Sequence, residues 1–262
     1  MTKLEQYYNK FHEEHRLATR HGMVEFNTSM YKIEEVISQI KNAASNQQIK
    51  IADIGAGTGR YSVELCHKGY DVTAVELVKH NLEILRSKHE NIKTWQGDAR
   101  DLHFLPDATF DVTLLFGPMY HLHGDENKLK ALEEARRITK KGGFILVAYV
   151  MNEYSVISYC FREHKWAEVA QKGGLSEDFH TICTEDDLYD YVRMEDVDRL
   201  NKKAGLERVK VFAPDGAADY IRRELNEMSQ EEFDAFLQFQ LSVCERPDLL
   251  GASSHIVDVL KN

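Results

Sequence analysis

Ile49-Lys50-Ile51-Ala52-Asp53-Ile54-Gly55-Ala56-Gly57-Thr58-Gly59-Arg60 decides the fold of this chain. A short β-branched run ends abruptly in three glycines at alternate positions. Helical periodicity then resumes through Tyr61, Leu65 and Cys66, and Gly69 is placed to close the helix. That is the signature of a strand, a tight phosphate- or nucleoside-type turn, and a helix. The spacing is G-x-G-x-G. The dinucleotide fingerprint is G-x-G-x-x-G, and its third glycine would be residue 60, which is Arg60. Asp53, two residues before the first glycine, would repel a pyrophosphate and attract an ammonium or sulfonium. The loop therefore suits a nucleoside ligand that carries positive charge and no phosphate.

Working outward, the same alternation repeats. The pattern predicts strands at 49–54, 71–75, 92–96, 110–116 and 144–150, with helices at 61–68, 78–88 and 128–139 between them. Nearly continuous apolar strands alternating with helices mean a parallel sheet buried on both faces, joined by right-handed crossovers. Before the glycine loop, Leu4, Tyr7, Tyr8 and Phe11 keep helical spacing, as do Met30, Ile33, Ile37 and Ile40. After Met151 the rhythm breaks. Residues 152–190 read as irregular helix, with Val156, Ile157, Cys160 and Phe161 on one stripe. A helix at 194–204 stopped by Gly205, a strand at 206–212 and a last strand at 255–260 follow. Ser229 with Glu232 forms a capping box for a helix carrying Phe233, Phe236, Leu237, Leu241 and Cys244.

Composition narrows the function classes. The 262 residues are 43% hydrophobic and 29% charged, with 15 Gly and 4 Pro, which excludes collagenous and disordered chains. There are 33 Lys and Arg against 43 Asp and Glu, a net charge of −10, so a general nucleic-acid binder is disfavoured. Cys66, Cys160, Cys183 and Cys244 form no C-x-x-C pair and read as reduced thiols of a cytoplasmic protein. The polar start has no apolar leader segment, and the longest apolar run, 144–151, is far short of a membrane span.

Several further motifs stand in order. Thr73-Ala74-Val75-Glu76 ends the second strand in an acid, 21 residues after Gly55 and close to the ~20 expected of a residue gripping ribose hydroxyls. Gly97-Asp98-Ala99 makes the turn after the third strand. Phe110-Asp111-Val112 leads through Phe116-Gly117-Pro118-Met119-Tyr120, and Lys141-Gly142-Gly143-Phe144 opens the fifth strand. Taken singly, each could be a turn or a cap; in this order the set resembles the class I S-adenosylmethionine (SAM)-dependent methyltransferases, from about residue 49 to 150.

The resemblance implies an α/β fold: a doubly wound, mostly parallel sheet with an antiparallel final strand and helical lid insertions. A single domain over 1–262 is expected, with an N-terminal helical lid at 1–45 and a SAM-binding core at 46–151. A helical insertion at 152–193 and the rest of the sheet at 194–262 would follow, the latter interrupted by helices at 219–250. SAM is the implied cofactor. Asp53, Gly55, Ala56, Gly57 and Gly59 would lie against its methionine part, Glu76 against the ribose, and Asp98 and Ala99 against the adenine, with Leu77 and Phe116 as further cofactor-binding residues.

The loop after the fourth strand, Gly117-Pro118-Met119-Tyr120-His121-Leu122-His123-Gly124-Asp125, would face the transferred methyl group. It lacks the Asn/Asp-Pro-Pro-aromatic form of enzymes that methylate exocyclic amino groups of bases or glutamine. The expected function is therefore methyl transfer to a small molecule, with a nucleic-acid methyltransferase or a SAM-binding protein without turnover as alternatives. His121 and Tyr120 are the catalytic candidates, with His123 and Tyr149 behind them. A general base is required only if the acceptor must lose a proton, and an imidazole base would titrate near its ordinary ~6.5. His121-x-His123 with Asp125 has too few ligands for a zinc centre, so no metal is expected. Arg16, Arg20, Tyr154 and His180 are candidate lid contacts. The Phe-rich stripe within 219–250 reads as core or homodimer packing.

Overall fold

The computed structural model of the chain describes Tyr7, residues 19–43 and residues 48–262. Each expected change of hydrophobic period becomes a change of element. Helix α1 (Arg20–Ala43) turns Met30, Ile33 and Ile37 inward. Strand β1 (Lys50–Ile54) leads through the glycine loop into α2 (Arg60–His67), and β2 (Asp71–Glu76) into α3 (Lys79–Ser87). Strand β3 (Lys93–Gln96) and β4 (Phe110–Leu115) follow, then a 3₁₀ turn at Pro118–Tyr120, α4 (Gly124–Ile138) and β5 (Thr139–Val150). The remaining elements are α5 (Asn152–Ser155), a π-wound segment Val156–Arg162, α6 (Trp166–Gln171), α7 (Met194–Ala204) and β6 (Glu207–Phe212). Then come α8 (Arg222–Glu227), α9 (Gln230–Val243), α10 (Pro247–Leu250) and β7 (His255–Lys261). The expected helix over Leu4 to Phe11, and Arg16, lie outside the described residues apart from Tyr7.

The strands form one seven-stranded sheet in the order β3-β2-β1-β4-β5-β7-β6. All neighbours are parallel except those of β7, which runs antiparallel to both β5 and β6. Along β5, Ile145, Val147 and Tyr149 join Leu132, Ala135, Val197 and Leu200 beneath α4 and α7. The alternate residues Phe144, Leu146 and Ala148 join Ile33, Ile37 and Leu65 beneath α1 and α2 on the other face. Both faces of one strand are apolar because helices cover both.

Three expectations shift for identifiable reasons. Helix α4 starts before residue 128, because Asp125 and Glu126 occupy its first turn and complement the exposed amides there. Strand β5 starts at Thr139, which pairs with Phe110; the register then slips before Phe144 meets Val112, and the Gly142 turn falls in that irregularity. The stripe in 152–190 is split: Val156 and Cys160 are buried while Ile157 and Phe161 are exposed. The π winding, marked by the Glu163 amide donating to the Ser158 carbonyl, rotates those neighbours off the helical face. The Ser229–Glu232 capping box is present as expected. Phe233 is buried, whereas Phe239 points to solvent.

Candidate active site

The carboxyl ends of β1, β2, β3 and β4 open into one cavity of about 550 Å³, which α1 also walls through Glu25 and Ser29. That volume lies in the range of pockets that enclose a drug-sized ligand. Its floor is the glycine loop. Gly55 and Ala56 both donate their amides to the Val75 carbonyl, folding the loop against β2. Gly55 has φ +80°, and a Cβ there would stand 2.5 Å from Pro118 Cδ; glycine therefore lets the loop after β4 close onto the loop after β1. Gly59, also at positive φ, abuts Leu85 at the start of α2 and does not reach the cavity wall. Its lack of a side chain lets α2 pack against Leu85.

Glu76 is buried and its carboxylate clamps the loop. Oε2 accepts the Gly57 amide at 2.8 Å, and Oε1 accepts the Val78 amide at 2.7 Å. An ionised carboxylate has about four acceptor positions, more than these two amides use. Asp53, 1% exposed, accepts the Ser62 hydroxyl at 2.5 Å. Burial pushes its carboxyl up to about 6, against the opposing Ser62 bonds. Asp98 lies at the next strand end. Burial would raise it, but the Arg100 guanidinium and amide outweigh that and hold it below the usual carboxylate range. Leu77, Ala99 and Phe116 also line the wall. The cavity thus brings together Asp53, Gly55, Ala56, Gly57, Glu76, Leu77, Asp98, Ala99 and Phe116, the residues expected from sequence to hold the cofactor.

Residues 51–143 match the family model of a methyltransferase domain. An uncharacterized methyltransferase of Bacillus subtilis is 29% identical over 144 residues, which are 50% of this chain and 55% of that protein. A demethylmenaquinone methyltransferase of Paenarthrobacter aurescens is 36% identical over 100 residues, 38% of each chain. The matched stretch thus spans from under two-fifths to just over half of these relatives. A solved structure from Thermotoga maritima, described as a SAM-dependent methyltransferase and possible histamine N-methyltransferase, aligns with TM-score 0.56 at 22% identity. It covers 98% of this chain and 97% of its own. Residues 51–143 thus resemble a methyltransferase domain, and the chain shares its fold with a SAM-dependent methyltransferase. SAM is the cofactor of that family, and the cavity fits it: two buried carboxylates at the ends of β1 and β2, a third carboxylate at Asp98, and an amide-lined glycine loop.

The cavity is also lined by Tyr120, His121, His123 and His255, and by Glu185, whose charge reaches Arg100. The 117–123 loop is zipped to the 184–192 segment. His121 Nδ1 donates to the Leu188 carbonyl at 2.9 Å, and the Tyr120 carbonyl accepts the Asp190 amide at 2.8 Å. Asp190 also accepts the Gly124 amide and pairs with the buried Lys128 ammonium. The His121 ring stacks on Tyr189 and meets Tyr120 edge-on. Burial, with a smaller contribution from His123, pulls its imidazole down to about 4 in spite of the Leu188 bond. It is neutral at physiological pH, and any limb it imposes lies near 4 rather than at the ordinary imidazole value. With Nδ1 donating, the neutral ring places its lone pair on Nε2.

Other candidates fall elsewhere. Tyr149 is wholly buried in the core beneath α4 and α7, away from the cavity. Arg20 donates to the Leu225 and Met228 carbonyls, clipping α1 to α8. His180 pairs with Asp196 at 2.9 Å, and neither it nor Tyr154 lines the cavity. Asp125 is held by Arg199 and Lys203. Among the described residues, the cluster with metal-ligand geometry is instead Glu25, Asp215 and His255. Sequence reasoning also missed Arg60, Asn81, Lys88 and Arg100 on the wall. Arg100, two residues beyond Asp98, was the one with a local signal.

Proposed function

We propose that this chain transfers the SAM methyl group to a small-molecule acceptor bound in the same cavity, in the cytoplasm. The observation that carries the reading is the continuity of one cavity. Its nucleoside end has the glycine loop, Glu76 and Asp98, and its other end is walled by aromatic and imidazole rings. SAM supplies an activated methyl carbon with a neutral thioether as leaving group. The chain's work is then alignment and exclusion of water. Helix α1 and the 184–192 segment act as the lid. Tyr120 and His121 line the acceptor side, Tyr120 as a wall and hydrogen-bonding group, and His121 as an acceptor through Nε2. The demethylmenaquinone methyltransferase relatives support a small-molecule acceptor. The net charge of −10 opposes a phosphate backbone. No helix among the described residues is long and apolar enough to cross a membrane.

The test is transfer of label from methyl-labelled SAM into fractionated cell extract. Label in the sub-kilodalton fraction is the expected result. Label in RNA would replace this reading with the nucleic-acid alternative. SAM binding with no transfer to any fraction would leave a binding protein without turnover.

A further inference from the structure

We propose that Arg100 is a positioning residue for base recognition: its guanidinium fixes the Asp98 carboxylate at the cavity wall, so that a purine bearing an exocyclic amino donor is selected over one without it. This rests on the methyltransferase reading above, which sets the adenine of SAM against Asp98.

Asp98 and Arg100 both line the cavity, in the turn that leaves β3. That turn is closed twice. The Asp101 amide donates to the Asp98 carbonyl at 3.0 Å, and the Arg100 amide donates to Asp98 Oδ1 at 2.9 Å. The second bond is an Asx turn, which a short acid makes with the amide two residues on. By itself it pins one carboxylate oxygen. The guanidinium pins both: Nε donates to Oδ1 at 3.1 Å and to Oδ2 at 3.2 Å, and Nη2 donates to Oδ2 at 2.7 Å. This planar fork is one that a lysine cannot reproduce. Three donor groups now meet a carboxylate with about four acceptor positions, which leaves one for a ligand. Burial raises the Asp98 carboxyl, but the Arg100 bonds outweigh it and hold it below the usual range. At neutral pH Asp98 therefore only accepts, and the matching group on a base is an N–H donor.

The guanidinium is in turn held from its other side. Nη1 donates at 3.0 Å to Asn127 Oδ1, near the start of α4, and Asn127 Nδ2 donates at 2.9 Å to the His123 carbonyl in the loop after β4. Glu185, from the 184–192 segment, adds a negative charge that Arg100 feels. The Arg100 and Asp98 side chains are 40% and 29% exposed, and an ion pair so open to water contributes little to folding. A fork braced at both ends on the wall of the cavity instead keeps an acceptor in one orientation before the ligand arrives. Without it, Asp98 would have to be immobilised at the moment of binding.

Calorimetric titration compares S-adenosylhomocysteine with its deaminated analogue, in which purine replaces adenine. The wild type is expected to bind the amino form about 10- to 150-fold tighter, the range of a hydrogen bond to a charged group. Arg100→Ala should cut that ratio about 2- to 12-fold, the cost of immobilising one free side chain on binding. Arg100→Lys, which keeps the charge without the fork, should fall between the alanine variant and the wild type. The two ligands share their ribose and homocysteine, so a pocket that was merely loosened would weaken both alike and leave the ratio unchanged. If Arg100→Ala does not fold, Arg100→Lys decides. Equal binding of the two ligands by the wild type, or an undiminished ratio in either folded variant, overturns the proposal. Failure of the wild type to bind S-adenosylhomocysteine at all would instead strike the methyltransferase reading.

Discussion

Replacing Glu76 separates two roles that its carboxylate holds at once. It accepts the Gly57 and Val78 amides at 2.8 and 2.7 Å, and the proposed second role is to accept ribose hydroxyls. Hydrogen bonds to a charged group contribute about 1.5–3 kcal/mol each. Loss of the ribose contact in Glu76→Ala should therefore weaken SAM and S-adenosylhomocysteine by about 10- to 150-fold. The two orphaned amides should also lower folding stability, by about 1–3 kcal/mol for each that water does not reach. A drop in affinity alone is ambiguous, because a loosened glycine loop would also bind less well. Calorimetric titration with S-adenosylhomocysteine and with its 2′,3′-dideoxy analogue resolves this as a double-perturbation cycle. If Glu76 grips the ribose, removing the hydroxyls should cost the wild type far more than the variant, with a coupling of about 1.5–3 kcal/mol. A coupling below about 0.5 kcal/mol, within the scatter of additive effects, would refute the ribose role and leave Glu76 as a loop clamp.

Asp53, raised by burial to about 6, should make SAM affinity fall as pH drops through that value, since a cation favours the ionised form. Because its folded pKa lies above the ordinary 3.8, the stability it lends is present below that value and lost as pH rises to about 6. Asp53→Asn should therefore flatten the pH dependence of SAM binding and stabilise the protein at neutral pH; an unchanged slope would contradict the assignment. His121→Gln should lower turnover by about 10²-fold or more if the ring is a general base, with SAM affinity within a few-fold. At saturating SAM, where the Asp53 effect on affinity drops out, the wild-type rate should show no His121 limb between pH 5 and 8, because that limb lies near 4; a limb near 6.5 assigned to His121 would count against its burial. Asp258, wholly buried, accepts Arg208 at 2.7 and 2.8 Å and Asn201 at 2.6 Å. Asp258→Ala should cost about 3–5 kcal/mol in urea denaturation, because the guanidinium keeps only the more exposed Asp198 and the Asn201 amide loses its carboxylate; a loss under about 1 kcal/mol would show that water replaces the carboxylate.

The division between what was legible and what was not follows chain distance. The nucleoside end could be read because each of its groups sits within a few residues of a strand's carboxyl end. Gly55 follows β1, Glu76 closes β2 and Asp98 follows β3, and a parallel sheet brings those ends to one edge whatever the insertions do. The loop after β4 was legible in position but not in protonation. The neutrality of His121 comes from its burial against the 184–192 segment, which has no periodic pattern to announce it. The Glu25–Asp215–His255 cluster was invisible. Its members are separated by 190 and 40 residues, and His255 looks in sequence like the first residue of an ordinary edge strand. Yet β7 is no edge: it inserts between β5 and β6 and runs antiparallel to both. An antiparallel strand inserted into a parallel sheet reverses the usual logic. Its beginning, not its end, lies at the edge where ligands bind. His255 reaches the cavity for that reason, and Asp215, just past the end of β6 on the neighbouring strand, meets it there.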